Sequence, residues 1–487
     1  MNISANQENI NKKKVTFSKI EKAAFNMAME IGRQLIKSAL EEADMDLMAE
    51  RDTARYRNKG PRRTCIKTIC GTVEFERRVY EDKAAEGRKF TYLLDEALGM
   101  NCMGKVSESV CRLISSSICE STFRSTSRQV TDLTGLDISH QAVWNIVQQI
   151  GESQEKLAER HAELAKEKQG TGKIDTPILY EENDGIWLKL QGKDRKENGP
   201  SKEMKMGIAY DGVIFRDSDR TGKRTRMLDN KLAIAGFMPI DEFRDRKEGL
   251  VSSVFRTSKI ELRVINGDGA AWIQKKAADT TTISVLDEFH RNKKIRECVK
   301  NRDHAEQIAE ELYKGDYDGL LEFIEALQNS VDDDKEIEGL KELYSYYSEN
   351  REALPGYYDR GIEIPETRAP GEIHHARLGS MESNVFTLIG NRMKGRRRNW
   401  SIDGANHLAS ILCAYHTAGF ENLFADLPAQ PIKEPEWMDT GRPLTPREIG
   451  EYTGRGFEYP AAAETTGGPV FLREIAKVAG IGDLNFI

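Results

Sequence analysis

The sequence predicts an α/β protein with a mainly helical front end, on three observations. Apolar residues recur at helical spacing near the N-terminus and again over 105–150, strand-like runs take over from about residue 177, and a strongly acidic helical stretch interrupts the second half of the chain. At 487 residues the chain exceeds what one hydrophobic core holds, so two to four structural units are expected.

Composition narrows the class. The chain is 39% hydrophobic and 31% charged, with a mean hydropathy of -0.59. No apolar run reaches the roughly 18 residues of a spanning helix, and MNISANQENINKKK lacks the apolar core of a secretion signal. A cytoplasmic protein with no membrane partner is expected. Seven cysteines (65, 70, 102, 111, 119, 298, 413) are thinly spread, and no second pair joins Cys65 and Cys70 at a zinc-site spacing, so reduced thiols are expected.

The net charge of -7 conceals an uneven distribution. Residues 301–350 hold 15 Asp and Glu against Arg302, Lys314, Lys335 and Lys341. The local balance is -11, which leaves the remainder at +4, a mildly basic chain with an acidic insert.

Taken in order, residues 1–50 carry Ile20, Phe25, Ile31, Leu35, Ile36 and Leu40 on a long amphipathic helix suited to packing or self-association. Residues 51–165 are expected to bind DNA. There a basic stretch, Arg51 to Arg63, leads into CIKTICGTVEFERRVYED, a β-hairpin by its period-2 alternation around Cys70-Gly71; Arg77 and Arg78 on its outgoing arm read as a solvated face or as phosphate contacts. STFRSTSRQVTDLTGLDISHQAVWNIVQQIG then fits a helix-turn-helix, with Gly135 in the turn and Ser139 capping the second helix. His140, Gln141 and Asn145 lie near the start of that helix, where amide side chains can pair with adenine edges; plain helical packing is the alternative.

After a polar linker, KEKQGTGK, residues 174–300 turn to strands: PILYEENDGIWLKLQ, EMKMGIAYDGVIF, KIELRVINGDGAAWI and TTISVLDEFH. Three strands in meander followed by strand and helix alternation is the order of an RNase H-like core. Residues 301–360 read as the acidic helical insertion, 361–425 as the last part of the core, and 426–487 as a Pro/Gly-punctuated tail with no assigned role.

The candidate chemistry lies in carboxylates. Asp184 ends ILYEEN and precedes Gly185, which suits a hairpin turn as well as a metal ligand. Asp268, between Gly267 and Gly269, stands where a strand gives way to the helical AAWIQKKAAD, a turn that aims a side chain into a strand-end crevice. Glu382 sits near the start of a helix that Ser380 is expected to cap; a first-turn acid also serves as a dipole partner. Arg392, Lys394, Arg396, Arg397 and Arg398 come after it as a phosphate-tracking surface or a merely solvated one. Asp287 and His290 form an Asp-x-x-His pair, either structural or accessory to the site.

The stretches DGIWLKLQ, INGDGAAWI, LDEFHRNKKI and above all GSMESNVFTLIGNRMKGRRRNWS resemble the DDE transposases of the ISLre-type bacterial insertion sequences, over about residues 60–420. The resemblance implies an RNase H-like core with a helical insertion between its second and third acids. It implies Asp184, Asp268 and Glu382 as catalytic ligands of two Mg²⁺ or Mn²⁺ ions, in the required order and 84 and 114 residues apart. Neighbouring Glu181 and Glu182 compete for the role of Asp184. Double-stranded DNA is the implied partner, and bringing two transposon ends together implies a homo-oligomer. An RNase H-like nuclease or resolvase without strand transfer, and a non-catalytic helix-turn-helix DNA-binding protein, are the alternatives.

Overall fold

The computed structural model describes residues 17–85, 89–100, 105–216, 224–269, 281–395, 397–421 and 423–424. The expected helix AAWIQKKAAD, Arg396 and the whole Pro/Gly-rich tail lie outside them. The described chain is a mixed α/β protein in two compact units, residues 17–110 with 132–137, and residues 111–131 with 138–424.

The first unit is built on α1 (Phe17–Glu50) and the antiparallel hairpin of β1 (Tyr56–Thr68) and β2 (Gly71–Asp82), extended by β3 (Lys89–Thr91) and followed by α2 (Leu93–Ala97). The alternation around Cys70-Gly71 does make a hairpin, but β1 begins earlier than expected and absorbs much of the basic stretch. Leu40, Ile66, Val73, Phe75 and Leu94 form its core. Arg77 and Arg78 are not on a solvated face. Arg77 pairs with Asp95 and lies 3.9 Å from the Tyr92 ring centroid, while Arg78 reaches the buried Asp44 of α1 at 2.6 Å. The Gly135 turn closes on the hairpin: its N–H donates to the Ile69 carbonyl at 2.9 Å, and a Cβ there would stand 2.3 Å from the Cys70 carbonyl oxygen. Only glycine allows that approach.

The second unit opens with α3 (Glu108–Glu120), α4 (Phe123–Leu133) and α5 (His140–Lys166), the last far longer than a recognition helix requires. Ser139 caps α5 as its sequence position predicts, accepting from the Ala142 N–H. Then come β4 (Ile178–Lys189), α6 (Gly192–Asn198), β5 (Ser201–Tyr210), the hairpin of β6 (Gly212–Arg216) and β7 (Thr225–Asp229), β8 (Leu232–Gly236), α7 (Ile240–Val254), β9 (Leu262–Gly267), β10 (Thr281–Leu286) and α8 (Glu288–Cys298). The five-stranded sheet runs β10-β9-β4-β5-β8. β5 is antiparallel to β4 and to β8, and β9 and β10 run parallel to β4.

This corrects the expected strand order in one place. The third strand of the antiparallel run is LAIAG at 232–236, not KIELRVI, which crosses to the other side of β4. LAIAG is short and lacks polar alternation, so nothing local marks it, and the helix α7 beyond it is equally unmarked. Leu179, Ala209, Val251, Phe255 and Ile260 pack α7 onto one face of the sheet.

The acidic segment is helical, as expected: α9 (Arg302–Lys314), α10 (Tyr317–Ser330) and α11 (Asp334–Glu349), packed with α8 around Ile308, Leu312, Leu320, Ile324 and Leu340. Its acids stay on the outside because the apolar stripe uses the inner face. The chain returns as α12 (Met381–Asn384), a turn of π-helix over Val385–Gly390, α13 (Asn391–Met393) and α14 (Ile402–Tyr415). Among the described residues no helix is long and apolar enough to cross a membrane.

Below the sheet face covered by α7 lies a buried ion cluster. Glu181 reaches Lys247 at 2.6 Å and Arg263 at 3.2 Å, and Arg263 also grips Glu248 at 2.6 Å. Burial pushes the Glu181 carboxyl up, but Lys247 and Arg263 outweigh it and hold the group below the usual carboxylate range. Removing one member leaves a buried charge short of a partner: Arg263→Met is expected to cost about 3 kcal/mol in urea denaturation. Because the Glu181 pKa is depressed by folding, its contribution is complete above the unfolded carboxylate pKa and lost as pH falls through the folded one. Glu181→Gln should therefore flatten the acid limb of a stability-versus-pH curve; an unchanged limb would show that the cluster does not govern it.

Candidate active site

Asp184 lies within β4, the middle strand of the sheet, and not in a hairpin turn. The turn reading of Asn-Asp-Gly fails because both flanks pair continuously with β5, from Tyr180↔Tyr210 to Lys189↔Ser201. Along a strand successive side chains alternate, so Glu182 and Asp184 share one face while Glu181 faces the other, toward Lys247 and Arg263.

Parallel pairing sets which residues stand beside Asp184. β4 and β9 are matched at Glu182↔Asn266, and β9 and β10 at Val285↔Asn266 and Leu286↔Gly267. Asp184, Asp268 and Asp287 each stand two residues beyond one of these matched positions, Asp184 still inside β4 and the other two just past the ends of β9 and β10. The Asp287 N–H donates to the Gly267 carbonyl at 2.8 Å, past the end of β10. Gly269, at φ +88, begins the turn away.

Electrostatics bring in Glu382. Burial is the first cause of a raised Asp184 pKa; the Gly185 N–H and the positive His290 oppose it, and the charges of Asp268 and Glu382 push it further up. The charges of Asp268 and Glu382 thus reach Asp184 although the three lie far apart in the sequence. Among the described residues no group of three or more His, Cys, Asp or Glu side chains is placed so that it could hold a metal ion. The donor type, hard carboxylate oxygens, is one that divalent cations take, and a half-buried carboxylate raised by burial and then by like charges is one that a cation would relieve.

Asp287 caps α8, accepting from the N–H groups of Phe289 and His290, each at 3.1 Å, and its Oδ1 lies 3.1 Å from His290 Nδ1. Burial pushes Asp287 up, but hydrogen bonds from His290 and Asn266 hold it below its ordinary value. His290 is raised, first by its bond to Asp287, against burial, with the charges of Asp184 and Asp268 adding to the effect. The structural reading of this pair holds: Asp287 caps α8 and bonds the His290 ring.

Glu382 is exposed in the first turn of α12. Ser380 does not cap that helix with its side chain, contrary to its sequence position. The cap comes instead from Glu182, which in the sequence looks only like a competitor of Asp184. Fully buried, Glu182 accepts from the N–H groups of Gly379 at 2.8 Å and Met381 at 3.2 Å, from Asn266 at 3.1 Å and from the Tyr210 hydroxyl at 2.5 Å. The signal in the sequence is the shared face of residues 182 and 184; the partner helix, almost 200 residues away, leaves none.

The cationic run divides. Arg392 is a correction to the expected surface: it is 5% exposed, donates to the Ile118 carbonyl at 2.7 Å and lies against the rings of Phe123 and Trp400. Burial lowers its pKa to about 10. Arg398 is half-buried and folds back on the carbonyls of Asn391 and Arg392, whereas Lys394 and Arg397 are exposed. On α5, Gln141 and Asn145 are exposed and bonded to each other at 3.1 Å, with Trp144 exposed between them.

The chain belongs to the uncharacterised protein family UPF0236, whose family model matches residues 10–422. This UPF0236 protein is similar to one from Caldanaerobacter subterraneus subsp. tengcongensis, 25% identical over 387 residues that cover 78% of this chain and 75% of the relative. It is also similar to a UPF0236 protein from Streptococcus gallolyticus, named from the vanSb 3′ region, 24% identical over 83% of this chain and 84% of the relative. A further relative from the first organism, 25% identical over 78% of this chain and 74% of its own, has a name that joins eleven gene designations.

The split of the arginines is measurable on the protein alone. Arg392→Met should lose about 2 kcal/mol of stability, the cost of a buried charged hydrogen bond. Arg397→Ala should stay within about 0.5 kcal/mol of the parent. Equal denaturation midpoints for the two variants would contradict the inward placement of Arg392.

Proposed function

We propose that this UPF0236 protein is a DNA transposase of the DDE kind, which cleaves strands at the ends of an insertion sequence and joins them to target DNA. The observation that supports the reading is that Asp184 inside β4 and Asp268 just past β9 each follow the Glu182↔Asn266 match by two residues, and that the charges of Asp268 and Glu382 both push Asp184 up. The strand order supports it: an antiparallel three-strand run, two strands parallel to its first, a helical insertion and then an acid on a helix match an RNase H-like core by analogy of fold. So does a relative whose name joins eleven gene designations, because an element that copies itself leaves its gene in many places of one genome.

Two bound Mg²⁺ or Mn²⁺ ions would supply Lewis acidity to the phosphate and a nucleophilic water at neutral pH. Asp184 and Asp268 would hold the shared ion, and Glu382 the second. Asp287 holds the His290 imidazole beside the acids and raises its pKa, and its protonated form would lessen their repulsion. The freed 3′ hydroxyl replaces water in the joining step, so no covalent protein intermediate and no nucleophilic Ser, Tyr or Cys is needed. Lys394 and Arg397 track the backbone of double-stranded DNA, and the exposed start of α5, with Gln141 and Asn145, reads the end sequence. Two ends must meet, which calls for a homo-oligomer.

Purified Asp268→Ala is expected to bind end DNA with parental affinity and to leave it uncut in Mg²⁺; cleavage at the parental rate would refute the assignment. Lys394→Ala should weaken binding of every sequence alike and reduce the salt slope by about 1. Parental protein that cuts without joining would be a nuclease, and one that binds without cutting would be a helix-turn-helix DNA-binding protein.

A further inference from the structure

Glu182 is a buried carboxylate with four hydrogen-bond donors around it, and its two bonds to the start of α12 leave no trace in the sequence. One oxygen receives the N–H groups of Gly379 and Met381 together with the Asn266 amide; the other receives the Tyr210 hydroxyl. Gly379 stands at φ +95 and Ser380 is right-handed, a turn that aims neighbouring backbone N–H groups at one anion. A side chain at 379 would meet nothing within 4 Å, so the backbone conformation and not crowding favours glycine there. The Asn266 amide nitrogen also bonds Asp287 at 2.9 Å, and Asp287 holds His290.

We propose that Glu182 is a positioning residue for Glu382: a carboxylate two residues before Asp184 on the same strand face that anchors the start of the Glu382 helix, and through Asn266 keeps Asp287 and His290 in register with it. The proposal rests on the DDE reading of the site. The α-helix N-terminus has free N–H groups and a positive end, and Glu182 satisfies both from a neighbouring strand where a local cap is missing. Fixing α12 to β4 fixes the separation between Asp184 and Glu382, since both acids lie close in sequence to the tie. Lys231 gives the helix a second hold, donating to Asn384 Oδ1 at 3.2 Å.

A carboxylate that positions and one that binds metal respond differently to amide replacement. In Glu182→Gln the amide oxygen still accepts the three N–H groups and the amide nitrogen donates to the Tyr210 oxygen, so positioning survives; a metal ligand would be lost. Glu182→Leu removes the tie altogether.

The experiment combines peptide-resolved amide hydrogen exchange over 376–384, thermal stabilisation by Mn²⁺, end-DNA binding and Mn²⁺-dependent cleavage on the full chain. Glu182→Leu is expected to speed exchange across 379–381, to bind end DNA normally, and to cut about a hundredfold more slowly, the loss that follows an ångström of misplacement. Glu182→Gln should retain parental exchange and cut within about threefold of the parent, inside the range of a tolerated change. Gly379→Ala, which strains the turn and leaves the carboxylate intact, should reproduce the fast exchange if Glu182→Leu fails to fold. Parental exchange in both disrupted variants would overturn the proposal, and so would a Glu182→Gln protein as inactive as Glu182→Leu with Mn²⁺ stabilisation lost, the signature of a ligand. Asp268→Ala run in parallel separates the two ideas: cutting by that variant defeats the DDE reading, while an inert Asp268→Ala beside a fully active Glu182→Leu defeats only the positioning role.

Discussion

The parallel pairing of β4 with β9 is the constraint on which the site depends. β4 is hydrogen-bonded on both sides, so its register cannot slip without breaking two ladders at once. With Glu182 opposite Asn266, an aspartate stands two residues further along each segment, and Asp287 directly follows the end of β10. A carboxylate in the middle of a central strand is costly to desolvate. Here the cost is concentrated at Asp184, whose raised pKa reflects burial before anything else.

Alternation along β4 separates two kinds of acid. Glu181 turns toward α7 and is neutralised by Lys247 and Arg263, a closed cluster that stabilises the sheet. Glu182 and Asp184 turn the other way, one saturated by hydrogen bonds and the other facing acids. Consecutive polar residues thus contribute to a core ion cluster, a backbone tie and a strained acid facing other acids: Asn183 receives Lys247 at 3.1 Å on the Glu181 face. Proximity in sequence makes Glu181 and Glu182 look like substitutes for Asp184; the pleat excludes Glu181 from that face, and the four donors around Glu182 give it other work.

Cations show the same contrast between composition and placement. A run of five in seven residues reads as a surface, yet Arg392 is drawn inward because a guanidinium can bond a carbonyl and stack on rings while remaining charged. Arg77 and Arg78 likewise serve the docking of α1 and the hairpin. Of the described cations in that run of five, only Lys394 and Arg397 are fully exposed.

By itself the sequence determined the elements whose signals are local: the long first helix, the hairpin around Cys70-Gly71, the Gly135 turn with its Ser139 cap, the acidic helices, and the mixed α/β class. Those come from period, turn chemistry and capping, which need only neighbours along the chain. It also put Asp184, Asp268, Asp287 and Glu382 forward as acids worth watching. Tertiary structure alone decided that LAIAG is the third strand of the antiparallel run, that Asp184 lies inside a strand, that Arg392 is buried, and that Glu182 and not Ser380 holds the helix of Glu382. Each of these depends on strand register or on partners tens to hundreds of residues away, and a linear pattern carries no information about which distant backbone will come to meet it.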